Sequence, residues 1–212
     1  MTGTGPGEPS PPAKPGRSSL RALLARFRGT LPWTPEPPLV GAKAMAVKVL
    51  GSFFGAGYLP LAPGTWGSLA ALVIWLGLRG AVLSAGLRAG LADNLCFLLC
   101  AGFAMATLAL GRSAERVAQA ADPRWFVLDE LAGAFLALYG LAGYNSWLWL
   151  AAGAFLLFRL LDATKLGLIG WTERRLRGGM GILMDDLFAG AAANLVVRGA
   201  AWALGAGLAV GA

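Results

Sequence analysis

Histidine is absent from the 212-residue chain, and acidic residues number only 11. Without histidine there is no Ser-His-Asp triad, no HExxH zinc helix and no phosphohistidine intermediate. The two cysteines, Cys96 and Cys100, stand four apart in NLCFLLCAGF and share one helix face. Neither is followed by the arginine that a cysteine-dependent phosphatase uses to hold phosphate. They read as small buried apolar residues, and no disulfide framework is implied. Charged residues make up 14% of the chain, against about 25% in a soluble domain. With 57% hydrophobic residues, this is an integral membrane protein with room for about four to six spans.

What is there falls into two parts. Residues 1–42 read as a disordered, proline-rich basic tail, and 43–212 as the membrane domain; nine of the 12 prolines lie in the first 40 residues. The tail lacks the continuous apolar run of a signal peptide. Leu20, Leu23, Leu24, Phe27 and Leu31 recur within it at helical spacing among arginines, which suits either a helix lying on an anionic membrane or a partly ordered linker. The expected fold is an all-α polytopic bundle of about five spans, near 67–87, 94–111, 125–141, 146–161 and 181–197. Arg79 is expected near the outer end of the first span, or snorkelling from it. A cytoplasmic N-terminus then puts fifteen of the 18 Lys and Arg residues on the inner side. The net charge of +7 is read as topology signal and anionic-lipid contact, with no nucleic-acid partner. Trp66, Trp125, Trp147, Trp149 and Trp171 read as interfacial anchors.

Against this apolar background five carboxylates stand out. Asp129 and Glu130 lie in WFVLDELAGAFLALYGL, Asp162 in FRLLDATK, and Asp185 and Asp186 in GGMGILMDDLFAG. Carboxylates beside lipid are expensive to keep, so a use is the default expectation. With the inferred orientation, all five fall near the inner ends of their spans, whereas an ion or proton pathway favours mid-membrane positions. Such a set, with no His or Cys, suits one or two hard cations, Mg²⁺ or Mn²⁺. Those ions neutralise phosphate oxygens and activate water. Arg159, Asp162 and Lys165 follow one another at i, i+3, i+6, within about 120° of one helix side, so the two cations can grip a phosphate.

Two glycine-rich turns offer further phosphate contacts. GAGYLPLAPGTWGS, residues 55–68, cannot be a regular span. Pro63-Gly64-Thr65 is expected to turn into a helix starting near Leu69, with Thr65 or Ser68 as its cap. Gly64, Thr65, Gly67 and Ser68 then present backbone N–H groups to an anion. Gly178 and Gly179 are expected to form a second nest beside Asp185 and Asp186. The bland readings are an ordinary i, i+3 ion pair for Arg159 and Asp162, and helix-dipole complements for Asp185 and Asp186.

GYLPLAPGTWGS, FVLDELAG, FRLLDATK and GGMGILMDDLFAG, in that order, resemble the phosphatidylglycerophosphatase A family over about residues 45–195. The resemblance implies a Mg²⁺-dependent phosphatase of the bacterial inner membrane. Its site would face the cytoplasm and release inorganic phosphate from phosphatidylglycerophosphate. Two departures stand out: Lys165 is followed by Leu-Gly-Leu where the family continues Pro-x-Pro, and Ala121 stands where a His commonly precedes Asp-Pro. The expected mechanism is in-line attack on phosphorus by a water activated at the carboxylate cluster; an aspartyl-phosphate route ranks below it because the DxDx[TV] signature is missing. A cation- or proton-coupled transporter and a non-catalytic scaffold are the alternatives. Oligomeric state is not legible.

Overall fold

Long apolar runs bounded by glycine and proline become helices in the computed structural model, which describes residues 36–60, 62–164 and 179–207. In chain order they are α1 (Gly41–Gly51), α2 (Pro63–Ser84), α3 (Ala89–Ala118), α4 (Leu128–Leu138), α5 (Trp147–Thr164) and α6 (Gly179–Ala203), with a 3-10 turn at Ala56–Tyr58. No strand occurs among the described residues. Helices α2, α3, α5 and α6 are each long and apolar enough to cross a membrane. Their outer surfaces carry large exposed side chains, among them Met105, Trp149, Leu195 and Trp202, the inverse of a soluble surface and suited to lipid. The all-α membrane bundle expected from hydropathy is therefore the architecture observed.

The segment expected as the third span takes a shorter form. Helix α4 has 11 residues, about 16 Å at 1.5 Å each, roughly half a hydrocarbon core of about 30 Å. It is the centre of the bundle, with Leu131, Ala132, Gly133, Ala134, Phe135, Ala137 and Leu138 all buried, as expected for a helix apolar on every side. Its neighbours are α2, α3, α5 and α6. Residues 139–146 complete the passage as irregular backbone, with Leu141 and Ala142 fully buried.

Irregular backbone at that depth survives only where protein satisfies its polar groups. Asp93, near the start of α3, accepts from the N–H groups of Gly140 (3.0 Å) and Ala142 (3.2 Å). Arg79 donates from Nε to the Ala142 carbonyl (3.0 Å) and stacks over Trp147 at 3.9 Å. Asn194 donates to the carbonyls of Ala137 (3.0 Å) and Tyr139 (2.6 Å). Arg79 thus lies near the far end of α2, as its place in the sequence suggests, with a partner of its own.

Helix α2 begins six residues earlier than expected. Pro63 occupies its first position, where the missing N–H is no loss. Neither Thr65 nor Ser68 caps it: Ala62 is the N-cap, without a side-chain bond. At its other end Gly86 takes φ +72°, with Leu87 N–H bonded to Val82 O and Gly86 N–H to Leu83 O. That is a Schellman ending, and it reverses the chain into α3. At the opposite end of α3, Arg112 and Arg116 hold the Glu36–Pro37 segment through the Glu36 carboxylate and the Pro37 carbonyl.

Candidate functional site

Helix α4 brings its first turn, with Asp129 and Glu130, into contact with α6 because both helices carry glycine where they touch. A Cβ at Gly190 would overlap the Gly133 carbonyl, and one at Gly133 would lie 2.7 Å from the Asp186 carbonyl. Backbones that close place side chains one turn away within reach of each other. Oxygens of Asp129, Glu130 and Asp186 all lie within 4.8 Å of one another. Asp129 and Asp186 are buried, and Asp186 is within hydrogen-bonding reach of Asp162.

The start of α2 closes a third side. A Cβ on Gly64 would collide with Glu130 Oε1, so the α2 backbone lies against that carboxylate. Gly67 packs on Val127, the residue before α4. Ser68, fully buried, donates to Gly64 O (2.8 Å) and accepts from Arg159 Nη1 (3.3 Å). The same Arg159 nitrogen donates to Asp162 Oδ2 at 2.7 Å. Residues from α2, α4, α5 and α6, scattered over 120 positions, thus form one polar cluster. It joins the first turns of α2 and α4 and the start of α6 to the last turn of α5.

The other expected site residues lie around this cluster or outside the described residues. The N–H groups of Thr65 and Trp66 are already bonded to Ala62 O, so the turn contributes the Gly64 backbone and the Ser68 hydroxyl more than an open row of donors. Gly179 opens α6, against the backbone of Thr107 and Leu108, where α6 meets α3. Asp185 is buried beside Asp186 but is not among the three converging carboxylates. Lys165 and Gly178 lie outside the described residues. The broken chain after α4 is supported by Asp93, Asn194 and Arg79, side chains from three other helices. Asp93 in LADNLC carried a signal, as an acid near the start of an apolar run, but its partners are 47 and 49 positions away.

Electrostatically the cluster is incomplete by itself. Asp129 Oδ1 and Glu130 Oε2 are buried with no hydrogen-bond partner, although buried polar atoms are nearly always paired. An all-oxygen carboxylate set with unfilled lone pairs fits a hard divalent cation. The cluster can therefore hold a metal ion through Asp129, Glu130 and Asp186.

Comparison with known proteins agrees with this geometry. Residues 49–201 match the family model described as phosphatidylglycerophosphatase A. A phosphatidylglycerophosphatase A of Escherichia coli is 37% identical over 155 residues, covering 72% of this chain and 83% of the relative. One of Haemophilus influenzae is 36% identical over 155 residues, with 71% and 86% covered. A Bacteroides thetaiotaomicron protein described as a putative phosphatidylinositol-3-phosphatase is 32% identical over 158 residues, with 74% and 94% covered. No solved structure gives a significant match.

Proposed function

The chain belongs to the phosphatidylglycerophosphatase A family, and from that premise we propose that it removes the terminal phosphate of phosphatidylglycerophosphate, leaving phosphatidylglycerol and inorganic phosphate. The observation that carries this reading is the cluster itself: the carboxylates of Asp129, Glu130 and Asp186 converge, two of them with an oxygen that has no hydrogen-bond partner, beside an arginine at the helix ends. The orientation favoured by the basic loops puts those ends at the cytoplasmic face of a bacterial inner membrane, where the lipid headgroup lies.

In this reading Mg²⁺ is held by Asp129, Glu130 and Asp186, with Asp162 adjacent and Asp185 behind. When bound it supplies charge neutralisation for the phosphate oxygens and a lowered pKa for water. Arg159 is the principal phosphate ligand. Its guanidinium is oriented by Asp162 and Ser68, which leaves its other nitrogens for a planar two-point grip. Lys165, next in sequence after α5, and Gly178 are proposed as further phosphate contacts. Gly64, having no side chain, lets the start of α2 lie against the Glu130 carboxylate.

Water attacks phosphorus in line with the departing glycerol oxygen. The new P–O bond forms as the ester P–O bond breaks. Asp162, poised between Arg159 and Asp186, takes the proton from water and returns one to the glycerol oxygen.

The test is release of inorganic phosphate from phosphatidylglycerophosphate in detergent micelles, with Mg²⁺ and then with excess chelator. Release that stops on chelation is expected. No release from folded protein would turn the assignment toward the transporter or scaffold alternatives. Because one relative is named for a phosphoinositide, phosphatidylinositol 3-phosphate belongs in the same assay. Preferential hydrolysis of that lipid would keep the chemistry and change the substrate.

A further inference from the structure

Helices α4 and α6 run side by side in one fixed register. Asp129 meets Asp186, Gly133 meets Gly190, and Ala137 meets Asn194, each pair 57 positions apart and each one turn beyond the last. The first rung is the metal cluster and the second is backbone contact. The third is held by a polar side chain, for Asn194 Nδ2 donates to both Ala137 O and Tyr139 O. These are carbonyls at the end of α4, whose ordinary acceptor role ends where the helix breaks after Leu138. A glycine seam permits sliding, since small residues fit against one another in several registers. A slip of one turn, about 5.4 Å, exceeds the 4.8 Å within which the carboxylate oxygens converge.

We propose that the Asn194 carboxamide is a positioning group for the metal cluster. By bonding the carbonyls of Ala137, in the last turn of α4, and Tyr139, the residue that ends it, the carboxamide fixes the register in which Asp129 and Glu130 meet Asp186. The inference rests on the reading of that cluster as a metal site. Asn194 is two turns of α6 away from Asp186 and touches neither metal nor substrate. Its effect therefore acts through the geometry of the carboxylates and appears in metal affinity, with substrate recognition by Arg159 largely spared.

The experiment compares wild type with Asn194→Leu, which removes both donors, and Asn194→Ser, which keeps a smaller donor and a folded helix position if the leucine variant is not recovered. Mn²⁺ binding is measured directly by electron paramagnetic resonance in detergent. The metal dependence of activity, the lipid KM at saturating metal, and Tm in chelator are followed in parallel. The leucine variant is expected to bind Mn²⁺ about tenfold or more weaker, the range found for groups that orient metal ligands. The metal concentration for half activity should rise in step, lipid KM should stay within about twofold of wild type, and the serine variant should fall between. A lowered Tm with unchanged Mn²⁺ affinity in both variants would overturn the proposal and leave only a packing role. No Mn²⁺ binding by the wild type itself would overturn the metal reading beneath it, a different failure and visible as such.

Discussion

Asp186 is the residue at which α6 contributes to every part of the cluster: it converges with Asp129 and Glu130 and reaches Asp162. Replacing it by Asn keeps its volume and removes a buried negative charge from a group of like charges. Turnover should fall about a hundredfold or more, the scale of losing one group that stabilises transition-state charge. Tm in chelator should be equal to or above wild type, because the variant relieves repulsion that only a cation otherwise offsets. Phosphate release and thermal unfolding in detergent check the two halves separately. A variant that hydrolyses lipid normally removes Asp186 from the site. The sequence made this residue visible because an acid in an apolar run is costly. It could not rank Asp186 above Asp185, since adjacent residues on a helix point about 100° apart and only the packing of α4 selects one of them.

At the scale of the element, α4 is short because it is held at both ends by other helices. Asp93 alone accepts from two part-buried N–H groups of the segment that follows it. Asp93→Ala leaves both unpaired, and a buried donor without a partner costs about 1–3 kcal/mol. A clear fall in detergent Tm is expected. Asp93→Asn retains a carbonyl acceptor in the same place and should recover most of that stability. Equal losses for the two variants would show that the charge of Asp93, facing Arg79 and Arg198, matters more than its hydrogen bonds. Hydropathy showed the apolar run of residues 125–141 but not its break. Leu, Ala and Tyr on either side of Gly140 are compatible with a longer helix, and the groups that satisfy the broken backbone come from α2, α3 and α6.

For the whole molecule, orientation is the quantity to test. The basic loops put the start of α2, the end of α3 and the last turn of α5 on one side, and the α2–α3 turn on the other. With Cys96 and Cys100 replaced by Ala, a single cysteine at Gln119 should react with a membrane-impermeant maleimide only from the cytoplasmic side. One at Leu87 should react only from the opposite side. The reverse pattern would place the carboxylate cluster away from the cytoplasm and overturn the proposed location of the reaction. The 11-residue helix does not disturb this topology, because α4 and its irregular continuation together still connect the two faces. Arg79 and Asp93, both bonded to that continuation, sit at the end of the bundle opposite the cluster.

The sequence by itself determined the class of protein and the positions of the apolar segments, and it supplied an expected orientation and a set of candidate site residues. Each of these depends on free energies that add along the chain: transfer of side chains into lipid, the expense of carboxylates there, and the bias of basic loops. Only the tertiary structure decided that α2 begins at Pro63, that α4 stops at Leu138, and that three of five carboxylates converge. Those outcomes depend on contacts between distant segments, such as Gly133 with Gly190 and Asn194 with Ala137. A hydrogen bond or a close backbone approach leaves no periodic trace in either partner's local sequence.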